Sequence, residues 1–79
     1  MTRDRRRELT EIRESFATLT PRERGVMQLV VAGKLNKEVA FALGRQEMTA
    51  KIQRGRVMRK MQTECFGDLA RTAQLLGIS

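Results

Sequence analysis

The chain has 79 residues, with 16 Lys and Arg against 9 Asp and Glu, a formal net charge of +7 and a pI near 11.1. That length holds one small domain; at 41% hydrophobic and 32% charged it is too apolar for a disordered tail and too short for most enzymes with a built cleft. There is no His and a single Cys, Cys65, which sets aside imidazole-based triads, most metal sites and an internal disulfide.

The fold must therefore be held by packing alone, with no metal and no cofactor expected. Cysteine usage fits a cytoplasmic, reducing setting. No run of 18 apolar residues occurs and no apolar stretch follows the basic start, so neither a membrane span nor a signal peptide is expected. The charge surplus calls for a polyanion: nucleic acid first, an anionic membrane surface second, an acidic protein third, with plain solubility as the bland alternative.

Residues 1–18 read as a basic leader running into an amphipathic linker helix. Arg3, Arg5, Arg6 and Arg7 open it, and Leu9, Ile12 and Phe16 follow at spacings that share one helical face. Asp4, Glu8, Glu11 and Glu14 nearly cancel the arginines, so this segment suits a connector better than a nucleic-acid grip.

Thr20-Pro21-Arg22-Glu23 is the sharpest local signal. Thr20 is a good N-cap, Pro21 fits the first helical position, and Glu23 can bond back to the Thr20 amide. Val26, Leu29 and Val30, widened by Met27 and Val31, predict a mostly buried helix that Gly33 ends. Asn36 is read as the cap of a short helix with Val39, Ala40 and Leu43 inward, stopped by Gly44. The small Ala40 and the turn glycine four residues later suit two helices meeting at a tight angle.

Residues 46–61 form the electrostatic centre: from 45 to 60, Arg45, Lys51, Arg54, Arg56, Arg59 and Lys60 stand against Glu47 alone. Ala50, Val57 and Met61 mark the inward face, and Lys51, Ile52 and Gly55 lie together to one side of it. A last helix over about 67–76 carries Leu69, Ala73 and Leu76 on one face, broadened by Ala70 and Leu75, with Gly77 as its cap. No stretch alternates with a strand period. The fold class is all-α.

A capped helix, a short helix, a turn glycine, a basic helix and a closing helix are the plan of a helix-turn-helix unit, in which the basic helix enters the major groove. Residues 19–61 resemble the DNA-binding domain of the LuxR/FixJ/NarL family of transcription regulators. The resemblance lies in L-T-P-R-E-R at 19–24, A-G-x-x-N-K-E-V-A at 32–40 and T-A-K-I…R-x-x-V-M-R-K-M at 49–61, in family order.

It implies a compact four-helix domain over 19–79, preceded by a linker helix, that binds double-stranded promoter DNA as a homodimer. By position, Lys51, Ile52 and Gly55 would face base edges, and Lys37, Thr49, Arg54, Arg56, Arg59 and Lys60 would contact phosphates. Leu69, Ala73 and Leu76 of the last helix would supply the dimer contact. The segment before Leu19 resembles the connector that follows a receiver domain in two-component response regulators, with a small stand-alone regulator as the alternative.

Some positions depart from the family pattern. Arg45 replaces an apolar residue, Gln46 a better helix cap, and Gln53 a frequent His. Gly55 offers no side chain to the groove, and Cys65 and Gly67 alter the start of the last helix. Cys65 itself reads as an inert buried or half-buried thiol. The competing reading is a helical protein-interaction module, similar to region 4 of bacterial sigma factors, with RNA polymerase as a partner. An RNA-binding role lacks an aromatic platform, and no nucleophile–base pair or paired acids suggest an enzyme.

Overall fold

The computed structural model describes residues 5–78, with the side chain of Arg5 excepted; Arg3 and Asp4 of the basic leader lie outside the described residues. Five α-helices follow in order: α1 (Arg5–Ala17), α2 (Pro21–Val31), α3 (Asn36–Leu43), α4 (Glu47–Lys60) and α5 (Phe66–Leu76). The described residues contain no strand.

The start of α2 follows the reading of its first turn. Thr20 Oγ1 accepts from the Glu23 amide at 3.2 Å, and Glu23 Oε1 accepts from the Thr20 amide at 2.9 Å, a reciprocal capping box with Pro21 at the first helical position. At the other end Gly33 takes φ +87°, and the Lys34 amide reaches back to the Leu29 carbonyl at 3.1 Å. Gly44 ends α3 in the same left-handed way at φ +64°, with the Arg45 amide on the Ala40 carbonyl at 2.9 Å.

Asn36 is not the cap of α3. Leu35 holds that position, and its amide donates to Glu38 Oε1 at 2.8 Å; Asn36 is the first helical residue and turns its Oδ1 toward Arg54 Nη1 at 3.4 Å. A carboxylate three residues into the helix thus does the capping, from the backbone side of the box alone. Gln46 precedes α4 without any side-chain cap bond, in keeping with its being a poorer cap than Ser or Thr.

The core is Val26, Met27 and Val30 of α2, Val39 and Ala40 of α3, Ala50 and Val57 of α4, and Leu69 and Ala73 of α5, joined by Leu19 and Met61. Helix α4 packs against both α2 and α3. Ala40 and Ala50 are small enough for the two helices of the turn to close on each other with both side chains buried.

Helix α1 lies against α5. Ile12 and Phe16 pack on the core from that side, and Arg71 Nη1 meets Glu8 Oε1 at 2.7 Å. Phe16 also carries the Arg24 guanidinium over its ring, 4.6 Å from the centroid. No helix among the described residues is long and apolar enough to cross a membrane.

Candidate nucleic-acid interface

The sequence forces α4 to be a seated helix with a free cationic side. Its inward stripe is Ala50, Gln53 and Val57, all buried, continued by Met61 just past its end. Lys51, Gly55, Arg56 and Arg59 are exposed, Ile52 is 50% exposed, and Arg45 before the helix is exposed as well. Fourteen residues at 1.5 Å each give a rod about 21 Å long, and the B-form major groove, about 12 Å wide, admits a helix.

The residues singled out from the sequence fall into three groups. Lys51, Ile52 and Gly55 share the outward side, as expected. A side chain at Gly55 would meet nothing within 4 Å, so the glycine answers to no crowding inside the domain. Lys37 at the start of α3, Arg56 and Arg59 are exposed, while Thr49 and Arg54 are half-buried. Arg54 reaches Asn36, tying the start of α3 to the middle of α4.

Lys60 has a partner inside the domain. Its ammonium donates to Glu23 Oε1 at 2.7 Å and to the Thr18 carbonyl at 3.3 Å. Glu23 is buried at 7% exposure. Its carboxyl is held below the ordinary carboxylate value of 4.5 by the bond from Lys60, with the bonds from Thr20 adding to it and burial opposing. Lys60 therefore neutralises a buried acid, and a phosphate contact would take it away from that partner.

Two of the three residues expected at a dimer contact on the last helix are enclosed. Leu69 and Ala73 are 0% and 1% exposed in the domain's own core, and Leu76 is half-buried. The inward stripe of a helix is what periodicity reveals, so the residues it picked out are those already covered. The apolar residues α5 leaves exposed are Phe66 at 42% and Leu75 at 44%. Cys65 is exposed rather than buried, free of any disulfide.

Two features escaped the sequence reading. Phe41, on the outer side of α3, is 90% exposed; its place three residues from Glu38 and Gly44 gave no apolar period to catch. The other is Gln53, whose Oε1 is enclosed with no hydrogen-bond partner.

The pattern of the luxR family of bacterial regulatory proteins (GerE) matches residues 17–73. Nodulation protein W of Bradyrhizobium diazoefficiens is 47% identical over 77 residues, covering 98% of this chain and 34% of that protein. Response regulator protein TodT of Pseudomonas putida is 37% identical over 68 residues, covering 86% of this chain and 30% of its own length. A crystal structure of full-length FixJ from B. japonicum superposes with a TM-score of 0.78 at 35% identity, covering 90% of this chain and 35% of that one.

The chain thus spans about a third of the length of these relatives. With a family pattern over most of its length and an all-helical fold shared with FixJ, the chain belongs to the luxR family of bacterial regulatory proteins, and carries that family's helix-turn-helix domain, a DNA-binding module of transcription regulation and not an enzyme.

Proposed function

We propose that the domain recognises specific double-stranded promoter DNA, with α4 in the major groove. The observation that carries this reading is the disposition of α4: one side closed into the core by Ala50, Gln53 and Val57, the other presenting Lys51 and Ile52 to solvent between Arg45, Arg54, Arg56 and Arg59. Lys51 is the base reader, donating to purine acceptors, and Ile52 offers an apolar contact for a thymine methyl. Gly55 lets the helix backbone approach the bases. Lys37, Thr49, Arg54, Arg56 and Arg59 hold phosphates and set the register.

In this proposal the active species on DNA is a homodimer through α5, using Leu76 and the neighbouring exposed Leu75 instead of the enclosed Leu69 and Ala73. The threefold greater length of the relatives supports a receiver domain elsewhere in the full-length protein, controlling this one in a two-component system of the cytoplasm. A second reading, a protein partner such as RNA polymerase, is favoured by the bare ring of Phe41 on α3.

Selection from a random duplex pool by the purified chain tests the proposal. Recovered sequences should share a half-site, paired at a fixed spacing if the dimer forms, and binding should weaken steeply with salt. Lys51→Ala should relax sequence choice at one position, whereas Arg59→Ala should weaken all duplexes alike and reduce the salt slope by about one. A pool that returns no common sequence defeats the specific reading. Amide shifts confined to the surroundings of Phe41 on adding polymerase, with none in 49–60 on adding DNA, would establish the second reading instead.

A further inference from the structure

Helix α4 leaves two large apolar side chains in solvent, Met48 at 64% and Ile52 at 50% exposure. At about 3.6 residues per turn, Ile52 lies about 40° to one side of Met48, Lys51 about 60° to the other, and Gly55 within about 20° of it. The buried residues Ala50, Gln53 and Val57 centre on the direction opposite Met48. Met48 therefore stands in the middle of the outward face, and Lys51 and Ile52 flank it. Glu47, the one acid of the helix, is turned about 100° aside.

Nothing in the domain asks for an apolar side chain at this place. Met48 belongs neither to the core nor to the half-buried apolar residues packed against it, and a polar helix former would serve the helix equally well. Its surroundings are cationic, since Arg45, Lys51, Arg56 and Arg59 are all exposed. An apolar centre in a cationic frame matches a surface that is anionic at its rims and apolar in its floor. The major groove is such a surface wherever it carries thymine, whose C5-methyl is the apolar group among the base edges. Methionine has no N–H or O–H to donate to a base acceptor, and its unbranched thioether chain adapts to an irregular apolar surface. Gly55, two turns along the same line, has no side chain to hold that line away from the floor.

We infer that Met48 determines specificity by packing on a thymine methyl at the floor of the groove, with Ile52 on a second one. The four residues from Met48 to Ile52 advance about 6 Å along the axis, which spans one to two base-pair steps of about 3.4 Å. The half-site should then carry two thymines one or two positions apart. This inference rests on the DNA-binding reading above, with α4 in the major groove, and adds a central reader between Lys51 and Ile52.

Replacing thymine by uracil removes the C5-methyl and keeps every hydrogen-bonding group of the base pair. On a duplex selected by the unaltered chain, each half-site thymine is replaced in turn, and affinities are measured for the unaltered chain, Met48→Ala and Met48→Leu. At one position uracil should weaken the unaltered chain and Met48→Leu by about 3- to 10-fold, and Met48→Ala no further. Met48→Ala should lose about the same factor on the thymine duplex at an unchanged melting temperature, and should keep the second sensitive position, that of Ile52. A selected half-site without thymine overturns the inference. So does a Met48→Ala variant that keeps full affinity, or that stays as sensitive as the unaltered chain at every thymine; in both cases the DNA-binding reading stands. If selection returns no common sequence, the specific reading fails and takes this inference with it.

Discussion

Replacing Glu23 by Gln isolates the one buried charge among the described residues. Glu23 Oε1 accepts from the Thr20 amide at 2.9 Å and from the Lys60 ammonium at 2.7 Å, so a single oxygen closes the first turn of α2 and ties it to the end of α4. The glutamine oxygen keeps the shape and the bond from Thr20 but loses its charge. A hydrogen bond to a charged group contributes about 1.5–3 kcal/mol net. Lys60, with 37% of its side chain exposed, recovers part of its solvation in the variant, which moves the expected loss to about 1–2 kcal/mol at neutral pH.

The pH dependence gives a sharper test than the magnitude. Because the folded carboxyl titrates below its ordinary 4.5, the stabilisation is complete above that value and is lost as pH falls through the lower, folded one. Urea unfolding followed by circular dichroism should show midpoints for Glu23→Gln displaced by a constant amount from pH 7 to about 5, converging with the unaltered chain below about 4.5, at unchanged m. A double-mutant cycle with Lys60→Met should return a coupling of about 1 kcal/mol. Equal midpoints at pH 7, or a gap that persists undiminished to pH 3, would refute the reasoning.

Gly55 sits mid-helix with open space where a Cβ would go, so Gly55→Ala should raise stability by about 0.5–1 kcal/mol in thermal melts. If Gly55 is there to let the backbone reach the bases, the same variant should bind its duplex more weakly although it melts higher. Gln62 stands just after α4 at φ 57°, a left-handed conformation that costs a side-chain-bearing residue about 1–2 kcal/mol. Gln62→Gly should recover about 1 kcal/mol in urea, the bond lost to Ser15 being long at 3.5 Å. Leu69→Ala, in the centre of the core at 0% exposure, should cost about 2–5 kcal/mol, a large part of the stability expected of so small a domain. A surface role for Leu69 would show instead as lost dimer at unchanged stability.

The elements that were legible in the sequence are those whose signals are local. Thr20, Pro21 and Glu23 announce a helix start through contacts within four residues, and Gly33 and Gly44 announce ends through a backbone angle that glycine favours. The stripes Val26–Val30 and Ala50–Val57 are legible because a buried face repeats with the helix period. What periodicity cannot show is what covers a stripe. Leu69 and Ala73 were read as a contact for a second copy, but α2 and α1 come to lie against α5, and those contacts span the whole chain. The contact of Lys60 with Glu23 was hidden for the same reason: its partner is 37 residues away, and a cation at the end of a basic helix has no local mark separating it from Arg59. Asn36 shows the opposite error, a residue type favoured as a cap displaced one position by Glu38, which bonds the Leu35 amide instead.

The cations of α4 are thus divided by where the helix is bolted down. Lys60 is one turn from Arg56 by sequence, yet it faces the buried Glu23 while Arg56 faces solvent at the edge of an open pocket beside Gln53. Arg54, on another side, reaches Asn36 at the start of α3. Polar bonds therefore fix the middle of α4 to α3 and its end to α2, while Ala50 and Val57 set its depth. A helix held at both places by side-chain bonds and between them by buried apolar groups has little freedom to roll about its axis. If Lys51 and Ile52 read bases as proposed, they require that rigidity, because a roll of one residue, about 100°, would put Ile52 where Lys51 should be. Under the proposed reading stability and recognition are coupled in α4: loosening Glu23–Lys60 should broaden sequence preference before it unfolds the domain, since the orientation of Lys51 is fixed by contacts on the far side of its helix.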